Sequence, residues 1–331
     1  MREEKLVKLH CKSVFAPYIA EFIGQKRALG NKYNAATEVL NLFDDFCVQQ
    51  DIQELALSEL LYQKWSLKRP SESDSTHVLR LKYTHAFSKF LHNNGIDAPA
   101  TFHPLPRGSK AFVPYIFTKD EINRFLNTVD KENQKANPNS PIRHLVFPVL
   151  FRLLYTCGLR LNEALHLKTE DVDLEQGVLL VRNAKGSKDR MVVMSASMTT
   201  ICYSYRLEDA MQNFPSEYFF PAPDRGFYDS STVYDNFRRY LHKSGIPHKG
   251  RGNGPRLHDF RHTFAVHVLN SWAEQGKDLY TCLPILSTYL GHSRLTGTQK
   301  YLQLVPEAYG LLTDSFESKY RHVFPEVHDE E

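Results

Sequence analysis

Apolar residues recur three and four apart along most of this chain and gather into short strand-like runs in only one region. Over residues 13–48 (SVFAPYIAEFIGQKRALGNKYNAATEVLNLFDDFCV) the pattern is helical, with a break near Gly30. SELLYQKWSL and HVLRLKYTHAFSKFLHNNG continue it, the second ending on an Asn-Gly stop. The first hundred residues are therefore expected to form a small all-helical unit of four or five helices. DAPATFHPLPRGSKAFVPY (97–115) has four prolines and a glycine, and its core at 105–115 is the predicted linker, leaving domains at 1–104 and 116–331. FTKDEINRFLNTV restarts the helical pattern, with Thr118 and Glu121 spaced as a capping box. IRHLVFPVLFRLLYTCG is a hydrophobic helix leading into LRLNEALHL.

VLLVRN and RMVVMS are expected to be two short strands joined by a polar glycine-containing turn, with a third strand expected near residue 172. Helices return over 196–213 and 232–243, followed by a basic, glycine-rich loop, HKGRGNGPR (248–256). LHDFRHTFAVHVLNSWAEQG is an amphipathic helix, and LPILSTYLG a short one expected to begin at its proline. The fold class is mainly α with a small β-sheet. No internal repeat is evident, and the acidic HDEE end is expected to fray.

Composition narrows the class without naming a partner. Hydrophobic residues make up 42% and charged residues 24% of the 331, the balance of a soluble globular protein. The formal charge of +3 is weak evidence for a polyanionic partner. The five cysteines are scattered and form no CxxC, which suggests neither a disulfide framework nor a zinc site and fits a reducing, cytoplasmic setting. MREEKLVKLHCK lacks the apolar core of a signal peptide, and no stretch approaches a membrane span.

Four segments carry the candidate chemistry: GLRLNEA with Arg160, NAKGSKDR with Lys185 and Lys188, LHDFRH with His258 and Arg261, and LGHSRLTGTQKY with His292 and Tyr301. Singly, each has an ordinary explanation; Arg160, for example, could simply pair with Glu163 on the next turn. Together they have one chemical sense. Two arginines offer bidentate donors to a phosphodiester, two histidines complete an oxygen-binding cage, a lysine can protonate a leaving alkoxide, and a tyrosine can supply a nucleophilic oxygen. No paired carboxylates at metal-site spacing accompany the set, which disfavours a two-metal nuclease.

In order and spacing, T-x-G-L-R-x-x-E at 156–163, K-G-x-K-x-R at 185–190, H-x-x-R-H at 258–262 and L-G-H followed by Tyr at 290–301 closely resemble the tyrosine recombinase (phage integrase) family. The resemblance implies a SAM-like helical core-binding domain and an α+β catalytic domain. It makes Arg160, His258 and Arg261, assisted by His292, the phosphate-activating residues, with Glu163 supporting them. It makes Lys185 the general acid, Lys188 a weaker candidate, and Tyr301 the nucleophile of a 3′-phosphotyrosyl link, with no metal, ATP or other cofactor.

The implied partners are duplex DNA held in a clamp, further copies in a tetrameric synapse with residues 305–331 docking in trans, and accessory DNA-bending factors. Lys64, Lys68, Arg69, Arg238, Arg239, Lys249, Arg251 and Arg256 are the candidate DNA contacts. No separate arm-binding domain is expected, because the helical pattern starts within the first dozen or so residues; the expectation is one of the simpler recombinases of mobile elements or an Xer-like resolvase, at a nucleoid-associated cytoplasmic site. His267 has no role that the resemblance supplies. Two alternatives share these residues: a type IB topoisomerase-like relaxing enzyme, and a DNA-binding accessory protein that has lost catalysis.

Overall fold

The computed structural model describes residues 6–100, 113–134, 140–184, 188–248 and 254–304. The chain forms two compact units, Met1–Val113 and Pro114–Glu331.

The first unit contains four helices among the described residues: α1 (Ala16–Ala28), α2 (Asn34–Gln49), α3 (Glu59–Ser66) and α4 (Asp74–Asn93). Serines start two of them: Ser58 accepts from Leu61 N and Ser73 from Thr76 N, satisfying amides that the first turn leaves unpaired. The helices close over an aromatic core of Phe15, Phe22, Phe43, Trp65 and Phe87. A buried ion pair lies inside this unit. Arg80, 2% exposed, reaches both oxygens of Glu72 at 2.8 Å and lies over the Trp65 ring.

The second unit is built around α6 (Arg143–Thr156), whose sequence is apolar on nearly every side because it is covered on nearly every side. α5 (Lys119–Glu132), α8 (Ala196–Leu207) and α11 (Asp259–Glu274) pack against it. The Thr118–Glu121 capping box starts α5 as the sequence predicts. A five-residue helix, α7 (Leu161–Leu165), follows α6 directly.

Three antiparallel strands come next in the order β1 (Val172–Asp173), β2 (Val178–Ala184), β3 (Lys188–Val193). Their register sets Leu179 opposite Val192 and Val181 opposite Arg190. Leu179, Val181 and Val192 are buried.

Two expectations on this stretch need correction. The helix expected over 196–213 is broken at Glu208, where ψ 128° leaves the helical region, so α8 is followed by a separate turn, α9 (Asp209–Gln212). After α10 (Ser230–Lys243) and α11 comes α12 (Leu279–Leu290), which does not start at Pro284. Asp278 caps it by accepting from Tyr280 N, and Pro284 sits one turn further in, where it removes one amide donor without ending the helix. A last turn, α13 (Thr296–Gln299), completes the described helices.

Candidate active site

The end of α6 creates the first part of the site. Gly158 turns the chain with φ +58°, a conformation that favours glycine, and an added Cβ would meet Phe264 Cδ1 at 2.5 Å. The turn delivers Arg160 to the start of α7. Glu163, three residues on, takes Arg160 N at 2.9 Å on one oxygen and Arg160 Nη1 at 2.6 Å on the other. The same carboxylate receives Arg190 of β3 through Nη1 at 2.9 Å and Nη2 at 2.8 Å. Burial works to raise the Glu163 pKa, but the two arginines outweigh it and hold the carboxyl down to about 2.

The C-terminus of α12 supplies the second part. Gly291 ends the helix in the left-handed conformation with φ +67°. Three successive carbonyls there each receive an arginine. Tyr289 O accepts from Arg190 Nε at 3.0 Å, Leu290 O from Arg261 Nη2, and Gly291 O from Arg160 Nη2 at 3.3 Å. Arg261 also donates to Gly158 O at 2.8 Å and is 1% exposed. Burial, with Arg160 close by, pulls its pKa down to about 9, leaving it charged at neutral pH.

Three histidines and the tyrosine line the same cavity. His258 stands at the N-terminus of α11, and its ring meets the edge of His262 with centroids 4.8 Å apart. His292 follows the α12 cap and shares a hydrogen bond with Thr298 Oγ1 at 2.8 Å through Nδ1. Tyr301 is 1% exposed against Leu283, Leu286 and Leu290, and its hydroxyl lies 2.8 Å from His262 Nδ1. Burial, followed by the arginine charges, lowers His258 and His292 to about 4 each; His258 keeps an exposed face in the mouth of the cavity. Burial raises the Tyr301 pKa, while Arg261 and Arg160 pull against it.

These residues surround a cavity of about 420 Å³ that also touches Arg294, Gly297 and Lys300. Among the described residues no carboxylate lines it; Glu163 sits behind the arginines. A pocket with fixed cations, neutral imidazoles and one phenol suits a monoanionic phosphodiester.

Of the predicted set, Arg160, His258, Arg261, His292 and Tyr301 converge here. Lys185 lies outside the described residues, as do Lys249 and Arg251; Lys188 is placed only as the first residue of β3. Arg256 pairs with Asp259 at 3.4 Å, close enough to lower His258 and His262.

Arg238 pairs with Asp235 at 2.5 Å and Arg239 lies over Tyr240, both on α10 and away from the cavity lining. In the helical unit Lys68 pairs with Asp74, Lys64 reaches Gln50 at 3.4 Å, and Arg69 lies over Trp65. His267 is half-buried and bonded to Tyr155 Oη at 2.9 Å, a structural contact. Sequence reasoning missed Arg190 and His262. Both stand inside quoted boxes, as the last letters of K-G-x-K-x-R and H-x-x-R-H, but only tertiary structure aims them at Glu163 and Tyr301.

Residues 116–307 match the family model described as "Phage integrase family". The chain belongs to the phage integrase family, the tyrosine recombinases. It is 33% identical to the y4rB protein of Sinorhizobium fredii, named an integrase/recombinase, over 89% of this chain and 94% of that one. It is 28% identical to tyrosine recombinase XerA of Thermococcus kodakarensis over 73% of this chain and 75% of the other. Among solved structures, XerH site-specific recombinase bound to a palindromic difH substrate in a post-cleavage complex aligns with TM-score 0.61 and 17% identity, over 90% of this chain and 86% of that one. That likeness shows the recombinase fold, mainly helical with a small antiparallel sheet. As a tyrosine recombinase, this protein acts in site-specific DNA recombination.

Proposed function

We propose that the cavity cuts and rejoins one DNA strand at a time through Tyr301, and that this is how the chain carries out recombination. The observation that carries the reading is the placement of a buried phenol in one cavity with Arg160, Arg261 and two of the predicted histidines. Arg160 and Arg261 would hold the non-bridging oxygens of the scissile phosphate. Both are already locked by backbone carbonyls, so little reorganisation accompanies the charge that develops in the transition state. His258 and His292 would complete the cage as neutral donors. Tyr301 Oη attacks phosphorus, giving a 3′-phosphotyrosine and displacing the 5′ oxygen, which Lys185 protonates to a free 5′ hydroxyl. A 5′ hydroxyl from the partner strand reverses the step, so phosphodiester energy is conserved without ATP or a metal.

Duplex DNA is the proposed partner, with a synaptic tetramer as the working assembly and the cytoplasmic nucleoid as the setting. The structural neighbours support the DNA reading: XerH is bound to a difH substrate, and the Tn1549 transposon integrase is in complex with circular intermediate DNA and with transposon right end DNA.

The test is covalent capture. The purified chain is incubated with fragmented genomic DNA that includes the flanks of its own gene, denatured, and the attached strands are sequenced. The expected result is a protein–DNA adduct at a defined position, abolished by Tyr301→Phe. An adduct that persists in that variant, or none with the unaltered chain, would overturn the reading.

A further inference from the structure

The three histidines of the cavity are not equivalent. His292 Nδ1 is engaged by Thr298 Oγ1, and the His292 ring stacks beside Tyr301 with centroids 6.2 Å apart. His258 presents its ring to His262. Only His262, among the described residues, has a hydrogen bond to the Tyr301 hydroxyl, at 2.8 Å. Tyr301 is 1% and His262 6% exposed, so water does not compete strongly for that contact. His262 is also fixed, on the first turns of α11 beside the doubly anchored Arg261.

We propose that His262 is a catalytic residue that accepts the Tyr301 proton on Nδ1 during strand cleavage and returns it during rejoining. This rests on the phosphoryl-transfer reading of the cavity given above. In cleavage the Tyr301 O–H bond breaks, its proton passes to the Nδ1 lone pair, and the phenolic oxygen forms the new P–O bond. The bond from phosphorus to the 5′ oxygen breaks, and that oxygen takes its proton from the Lys185 ammonium. In rejoining each transfer runs backwards, so no net proton or electron is gained.

The surroundings keep the acceptor available. Burial comes first in holding His262 neutral, followed by the groups facing it: the His258 ring at the N-cap of α11, Lys300 beside Tyr301, Arg256 before that helix and Arg261 on it. A phosphodiester bound among those cations would offset them, so His262 becomes a stronger base when substrate is in place. The Nδ1 that accepts requires the proton of the neutral ring to reside on Nε2.

Two measurements test this. Nitrogen NMR of histidine-labelled free protein should show His262 neutral, protonated on Nε2, with an Nδ1 signal that moves in Tyr301→Phe. A ring protonated on Nδ1, or a signal indifferent to that substitution, overturns the proposal without any DNA.

Single-turnover adduct formation is then measured on a nicked duplex carrying the captured cleavage site, with ordinary or 5′-bridging phosphorothiolate linkage. His262→Ala and His262→Gln should both be slowed about 10²–10³-fold on either linkage. Lys185→Ala should recover on the sulfur leaving group, which needs no acid. Gln retains an acceptor for orientation but no base, so a Gln variant at full rate overturns proton transfer, as does an Ala variant within about threefold of the parent. An unaltered chain that forms no adduct overturns the phosphoryl-transfer reading as well. Adduct formation that ignores His262 overturns this proposal alone.

Discussion

Replacing Glu163 with Gln removes one charge and changes the side-chain volume little, which makes it a clean probe of the site's electrostatics. Each carboxylate oxygen of Glu163 accepts two hydrogen bonds, Oε1 from Arg160 Nη1 and Arg190 Nη1, Oε2 from Arg160 N and Arg190 Nη2. Whichever oxygen becomes the amide NH₂, two donors then face a donor. Arg160, Arg190 and the buried Arg261 are also left without the carboxylate that offsets their mutual repulsion.

The Glu163 and Arg190 side chains are 7% and 9% exposed, so this pair belongs to the buried class, in which removing one partner costs about 3–5 kcal/mol. For a unit of this size that is a fall of roughly 6–20 °C in its melting transition. Glu132, paired with Lys243 at an exposed site, is the control: Glu132→Gln should cost at most about 1 kcal/mol. Scanning calorimetry, resolving the two units' transitions, reads both. Inorganic phosphate should raise the transition of Glu163→Gln more than that of the parent, because the variant has surplus positive charge. A Glu163→Gln transition within about 2 °C of the parent would refute the claim that this carboxylate holds the arginines together.

Gly158→Ala should destabilise the second unit by about 2–4 kcal/mol in urea, combining left-handed strain with overpacking, since Cβ would lie 2.5 Å from Phe264 Cδ1 and 3.0 Å from Leu290 Cδ2. Gly30→Ala, with φ +81° but nothing within 4 Å, should cost the first unit only about 1–2 kcal/mol; equal losses would refute the packing argument. Acid should weaken the second unit before it titrates carboxylates. The folded pKa of His262 is lowered to about 3, so its contribution is complete above the unfolded value of 6.5 and is lost as pH falls towards 3, at up to about 1.4 kcal/mol per pH unit. Melting temperature against pH should therefore be flatter between pH 6 and 4 in His262→Gln than in the parent, and parallel curves would refute the assignment.

Much of the fold was legible because local chemistry and tertiary structure agree. Thr118 and Glu121 cap α5 as their spacing predicts, and the short apolar VLLVRN and RMVVMS segments pair as antiparallel strands. The breaks were less legible. Pro284 is a good first helical residue, but Asp278 caps the helix earlier and the proline is tolerated inside. The site was legible as a set of residue types but not as a geometry. Arg160 pairs with Glu163 as spacing alone suggests, yet no periodicity places Arg190, from a strand, on the same carboxylate. Nor does it show that the histidine bonded to Tyr301 is His262 rather than His292, which is much nearer in sequence.

The end of α12 explains how so many cations can be held in one place. The last carbonyls of a helix lack amide partners and carry the negative end of its dipole. Here Tyr289, Leu290 and Gly291 direct three of them at Arg190, Arg261 and Arg160, which arrive from β3, α11 and the start of α7. The backbone thus supplies the compensation that one carboxylate, Glu163, cannot provide for three guanidiniums. The glycine of the L-G-H box is required for this on two counts. Its φ of +67° turns the chain out of the helix, and a Cβ there would lie 2.9 Å from Arg190 Cδ. The same turn sends His292 and then Tyr301 back to the cavity, so the element that gathers the three arginines also sets where the Tyr301 phenol stands.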